Sequence, residues 1–227
     1  MPRSSAGLAS KSLAVFAKDI RLELRSRYAL NAILMFGITT LAVVSFSLGQ
    51  SNLPPQLLAA LYWIVMFFSA VSGLAQVFIR EEESGTALAL RLAAPSDPVF
   101  VGKLLFNFML LAVMTVIITP LFFIFTDAPT DGLPSFLLVL VLGVLGLCGA
   151  TTLVAAIIAK AAVKGALFAV LSFPVLVPLL LTVVRATQKV FDGYAAAEIL
   201  TELQFLLAFA VVMIVGSALL FKFVWQE

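Results

Sequence analysis

The chain has 227 residues, 63% of them hydrophobic and 11% charged, with a formal net charge of only +2. No water-soluble domain of this size needs so much apolar surface, so the composition points to an integral membrane protein and away from a basic nucleic-acid binder. With no histidine and one cysteine, disulfide frameworks, His-based zinc sites and His-dependent catalytic triads are excluded.

Residues 1–12 are mostly small and polar without periodicity, and are expected to form a mobile N-terminus ahead of a single domain spanning 13–227. From there Leu13, Phe16, Ile20, Leu24 and Tyr28 recur at helical spacing, while Lys18, Arg21 and Arg25 fall on another face. This predicts an amphipathic helix lying along the membrane surface, marked by Phe16, Ile20, Arg21, Leu24 and Arg25. It serves either as a topology anchor or as a grip for a cytosolic partner; the pattern fits both.

A bilayer-spanning helix requires about 20 mostly apolar residues. Six stretches qualify: Ala29 to Leu48, Leu57 to Ile79, Leu104 to Phe125, Leu133 to Ala159, Ala166 to Val184 and Leu203 to Val224. None alternates as a membrane β-strand does. The first run is too long for a signal peptide and lacks its small-residue cleavage pattern. Twelve of the fourteen basic residues fall on the side of the two termini, Arg185 and Lys189 alone on the other. Both termini are therefore expected in the cytoplasm. Tyr28 and Trp225 are expected at the inner headgroup layer, and Tyr62, Trp63 and Tyr194 near the outer one.

The connection between spans two and three, "FIREEESGTALALRLAAPSDPVFVGK", is the longest cytoplasmic one and carries three glutamates in a row. Ser84, Gly85 and Thr86 form a helix-start signal beside three glutamates, "TALALRLAA" favours helix, and Pro95 stops it. Ser96, Asp97 and Pro98 start the next helix, and Lys103 is expected to meet the membrane. The result is a short cytoplasmic helix between two spans, placed to be pushed as a lever.

Further along, Gly143, Gly146 and Gly149 stand three apart in the fourth span, which favours close helix packing within one subunit. Pro174 and Pro178 predict a kink or loosened segment in the fifth. In the last outer connection Asp192 and Gly193 resemble a helix start, with Glu198 and Glu202 one turn apart on a short surface helix. All carboxylates and basic residues are placed in connections, tails or span ends, which disfavours a proton-driven carrier. No P-loop pattern and no buried carboxylate pair are evident, so the chain reads as non-catalytic and its energy must come from another polypeptide.

The segment "IREEESGTALALRLAAPSDPVFVGKLLFN" resembles the corresponding connection of ABC-2-type permeases, with an R-E-x-E-x-G-T pattern, a proline nine residues after the threonine, and a Gly-Lys entering span three. "KDIRLELRSRYALNAILMF" looks like the start of the haem exporter permease subunit of cytochrome c maturation, the CcmB type. The resemblance implies an all-α fold with six spans, an N-terminal interfacial helix and a cytoplasmic coupling helix, in the bacterial inner membrane. It implies a second copy of the subunit, an ABC ATPase that supplies ATP hydrolysis, and a haem-handling membrane protein as partners, besides the lipid bilayer. Haem is then handled by the complex, and this chain binds no cofactor assignable to particular residues. Arg80, Glu81, Glu82, Glu83, Gly85, Thr86 and Arg91 would form the ATPase-coupling interface. Two alternatives stay open: a permease of the same fold moving a lipid-linked glycan or drug, and a non-transporting scaffold.

Overall fold

The computed structural model describes residues 5–48, 53–74, 85, 90, 92, 94–158 and 164–226. Helix α1 (Ser5–Ser26) leads into α2 (Tyr28–Leu48). It is followed by α3 (Pro55–Leu74), α4 (Ser96–Thr126), α5 (Leu133–Ile158), α6 (Lys164–Phe191), a 3-10 turn (Ala196–Ile199) and α7 (Leu200–Gln226). No strand occurs among the described residues. Six helices, α2 to α7, are long and apolar enough to cross a membrane, and they coincide in order with the six expected spans.

Boundaries differ from expectation in four places. The first helix begins at Ser5, so residues 5–12 are helical, not an irregular leader. Short polar side chains show no periodicity of their own. What holds them is packing, because Ser12 is buried and α1 lies against α4. Second, α4 starts at Ser96 and runs for 31 residues, about 46 Å at 1.5 Å per residue, more than the roughly 30 Å of hydrocarbon. Its first turns extend beyond what hydropathy marks as the span.

Third, α6 runs from Lys164 to Phe191, past the expected end of the span at Val184, with Pro174 and Pro178 inside it. Thr182 donates to Pro178 O at 2.9 Å, which places a polar partner on the carbonyl one turn back. Fourth, Asp192 and Gly193 end α6 instead of starting a helix. Gly193 has φ +87, its amide donates to Val190 O, and that of Tyr194 donates to Lys189 O, both at 3.0 Å. This is the left-handed glycine cap that closes many helices, available to glycine without a Cβ penalty. Ala195 N then donates to Glu198 Oε2 at 2.8 Å, and the 3-10 turn passes straight into α7.

The bundle is organised around α5, which packs against α3, α4, α6 and α7. Its glycines make that possible: a Cβ at Gly143 would collide with the Trp63 ring, at Gly146 with Leu179, and at Gly149 it would press on Ile214. The three therefore admit α3, α6 and α7 in turn, within one subunit, as expected for small-residue packing.

Tyr62 and Trp63 do not sit on a lipid-facing belt. Both are fully buried. The Tyr62 ring stands 5.5 Å from Trp63, 5.0 Å from Phe122 and 5.4 Å from Phe136. Their polar ends are satisfied inside the bundle, by Tyr62 OH with Thr119 Oγ1 at 2.8 Å and Trp63 Nε1–H donating to Thr187 Oγ1 at 2.9 Å. Tyr28 and Tyr194, by contrast, are exposed.

Candidate functional site

Helix α1 divides into three arcs. Ser12, Val15, Asp19 and Glu23, spaced by three, four and four residues, are buried against the bundle. The apolar stripe lies outside that packed arc: Leu13, Leu24 and Tyr28 are exposed, with Phe16 and Ile20 half-buried at its edge. Arg21 and Arg25 are exposed on the remaining arc.

The buried arc carries the charge chemistry. Asp19 Oδ2 meets Lys103 Nζ at 3.3 Å, and Asp19 Oδ1 meets Lys18 Nζ at 3.2 Å. Lys103 has no exposed surface, so it does not reach the headgroups as expected but is held inside, against α1. Beside it, a Cβ on Gly102 would stand 2.8 Å from Ser12 O and 2.7 Å from Val15 Cβ. The Gly-Lys pair thus works as one device: the glycine lets the α1 backbone approach, and the lysine compensates the carboxylate brought in by that approach.

Glu23 fixes the next joint. Arg27 takes a left-handed φ of +54, which turns α1 into α2. The first amides of a helix lack intrahelical acceptors, and Glu23 Oε1 accepts from Leu30 N at 2.8 Å. Two carboxylates four residues apart on α1 therefore bind α4 and cap α2. Two buried carboxylates on the packed face were not foreseen; the visible signal was their spacing in register with Ser12 and Val15.

The start of α4 is gripped from another side as well. Lys222 Nζ on α7 lies 3.3 Å from Asp97 Oδ1, and the Phe100 and Phe221 rings are 5.5 Å apart. Upstream, Leu90 and Leu92 are helical, Ala94 N donates to Leu90 O at 3.0 Å, and Ala94 is buried. Gly85 is exposed with φ +67. Arg80, Glu81, Glu82, Glu83, Thr86 and Arg91 lie outside the described residues.

One polar pair within the helices also escaped sequence reasoning: fully buried Asn107 donates from Nδ2 to Thr152 Oγ1 at 2.8 Å, tying α4 to α5. Cys148 is buried nearby, its thiol donating to Leu104 O at 3.5 Å. Among the described residues no cluster of three or more His, Cys, Asp or Glu side chains could hold a metal ion.

Six helices long and apolar enough to cross a membrane, with an additional charged helix clamped to one end, are the architecture of a multi-pass membrane protein. The sequence matches the family model described as CcmB protein over residues 10–223. The chain therefore belongs to the CcmB family, membrane permeases of haem transport in cytochrome c-type biogenesis. A comparison with curated proteins gave no match.

Proposed function

We propose that the chain is the membrane-spanning subunit of an ABC complex in the bacterial inner membrane, with both termini cytoplasmic, and that it converts ATP hydrolysis by a separate ATPase into helix movement for haem delivery. Membership of the CcmB family supports the association with an ABC ATPase. The observation that carries the mechanical part is the clamp at Gly102 and Lys103. The connection after α3 ends at Ala94, and within ten residues α4 is pinned to α1 by Asp19 and to α7 by Lys222. A push on that connection is delivered to α1, α4 and α7 together, and through the Glu23 cap to α2. The subunit works beside a second copy of itself, with a haem-handling membrane protein as the further partner.

Haem is cargo of the assembly. The chain has no histidine, and its one cysteine is buried between α4 and α5, so no axial ligand is assigned to it. The interior around Tyr62, Trp63, Phe122 and Phe136 is filled by side chains, which favours a route along a face shared with another chain over one through the centre of the bundle.

Joint replacement of Glu81, Glu82 and Glu83 by alanine tests the coupling. Abundance and insertion are expected to stay near normal while cytochrome c maturation falls. Full maturation at normal protein level would assign the chain a scaffold role instead. Purification in mild detergent with identification of copurifying proteins tests the partners: an ATPase without a haem-handling protein would keep the permease and reopen its substrate, including a lipid-linked glycan or drug.

A further inference from the structure

We propose that Arg185, with Lys189 one turn beyond it on α6, forms a site at the outer membrane surface for the two carboxylates of a haem lying against α6. The site rests on the transport role and the orientation proposed above, and names where on this chain the cargo is held.

Charge is the first observation. In that orientation the outer side carries five carboxylates, Asp127, Asp131, Asp192, Glu198 and Glu202, and only two cations. Both cations stand on α6, four residues apart, a spacing that puts two Cβ atoms roughly 5 to 6 Å from one another. Lys189 is already seated: its Nζ meets Glu202 Oε1 at 2.6 Å and Glu198 O at 3.4 Å, and one of its three N–H donors remains. Glu202 gives Arg185 no hydrogen bond, since its second oxygen, Oε2, is buried without a partner. That carboxylate acts on Arg185 only at longer range, and no ion pair among the described residues includes the arginine. Its guanidinium is open to an incoming anion.

Position is the second observation. Leu171, Pro174, Pro178, Leu181 and Arg185 follow one another at helical spacing and are all exposed, so the arginine ends an apolar stripe. It stands six residues before the end of α6 at Phe191, about 9 Å along the axis, within the stretch apolar enough to cross a membrane. A cation at such depth is costly unless it meets a counter-charge. Haem offers both halves of the match, an apolar ring for the stripe and two carboxylates on one edge for the two cations. Arginine holds a carboxylate through two parallel hydrogen bonds. A phospholipid brings a single phosphate and leaves the second cation to Glu202.

Trp63 provides the readout, because its indole N–H donates at 2.9 Å to Thr187 Oγ1, between the two cations in the chain. The full chain carrying Trp225→Phe, in nanodiscs of phosphatidylcholine, is titrated with haem or with haem dimethyl ester while quenching of Trp63 is followed. Esterification removes both charges and keeps the ring. Haem is expected to half-saturate at roughly tenfold lower concentration, the scale of one hydrogen bond to a charged group. Arg185→Gln is expected to bring the two ligands to within about twofold, and Arg185→Lys to keep part of the preference. Blue-shifted Trp63 emission before ligand is added shows that each variant is folded. Equal binding of haem and ester with Arg185 intact, or a preference that survives Arg185→Gln, would overturn the site. So would loss of the preference in nanodiscs containing phosphatidylglycerol, which would give Arg185 to a lipid phosphate. The ATPase takes no part in this measurement, and the replacement of Glu81, Glu82 and Glu83 reads coupling separately, so failure of the site leaves the transport role standing.

Discussion

Asp19 on α1 and Lys103 on α4, 84 positions apart in the chain, meet at 3.3 Å with the lysine wholly out of solvent. Stranding one member of a buried pair costs about 3 to 5 kcal/mol, whereas replacing both by apolar groups is often tolerated. Asp19→Leu, which takes the carboxylate away from buried Lys103, is therefore expected to lower the melting temperature, Lys103→Met to lower it less because Lys18 stays 3.2 Å from Asp19, and D19L/K103M to recover part of the loss. Cys148 is buried and is the only cysteine, so its reaction with a thiol-specific dye on heating reports the transition. Equal melting of single and double variants would remove the pair from the account of how α1 is held.

Gly102 supplies the other half of that clamp. A valine there would drive its side chain into Ser12 O and Val15, and because one of the obstructing atoms is backbone the helices must separate. Gly102→Val is expected to expose α1 to proteolysis at Lys11, Lys18 or Arg21 while α4 to α7 remain protected. Unchanged cleavage kinetics would mean that α1 tolerates a wider spacing.

How much of this was legible follows the range of the interactions. The six spans were visible because an apolar run of about 20 residues is a local property, and the helical period of α1 was visible for the same reason. The seating of α1 was not. Its most apolar stripe, Leu13 to Tyr28, faces outward, while the packed arc holds two carboxylates whose partners are distant or around a corner. The headgroup preference of Tyr and Trp likewise places Tyr62 and Trp63 at an interface, since a local rule cannot know that Thr119 and Thr187, 57 and 124 positions away, await their polar ends. The Gly-Lys motif stood out by resemblance, but its reason is the distant contact with Ser12 and Asp19. The loop residues Arg80 to Glu83, Thr86 and Arg91 lie outside the described residues.

Glu23 gives a milder test of the α1–α2 joint. Glu23→Ala strands the Leu30 amide that its carboxylate accepts from, a loss on the order of 1 to 2 kcal/mol for a helix-capping side chain. Glu23→Gln keeps an acceptor oxygen and is expected to retain most of the stability. Hydrogen exchange at the start of α2 should rise in the alanine variant alone; equal protection in both would show that the cap contributes little.

Trp63 offers the cleanest readout of the core, because the chain has only two tryptophans and Trp225→Phe leaves Trp63 as the sole emitter. Its full burial predicts blue-shifted emission that an aqueous quencher does not reach. Thr187→Val removes the oxygen that accepts its indole N–H at 2.9 Å, and hydrogen bonds between membrane helices are worth about 0.6 kcal/mol on average and up to about 1.7. A small destabilisation with little spectral change is expected. Gly143→Leu acts differently, because a side chain at that position occupies the space of the indole ring itself. Trp63 must then leave its pocket, so emission should move to the red, quencher access should appear, and the loss of stability should exceed that of Thr187→Val. If Gly143→Leu left the emission blue and protected, α3 and α5 would have to pack by some route other than the indole against the glycine.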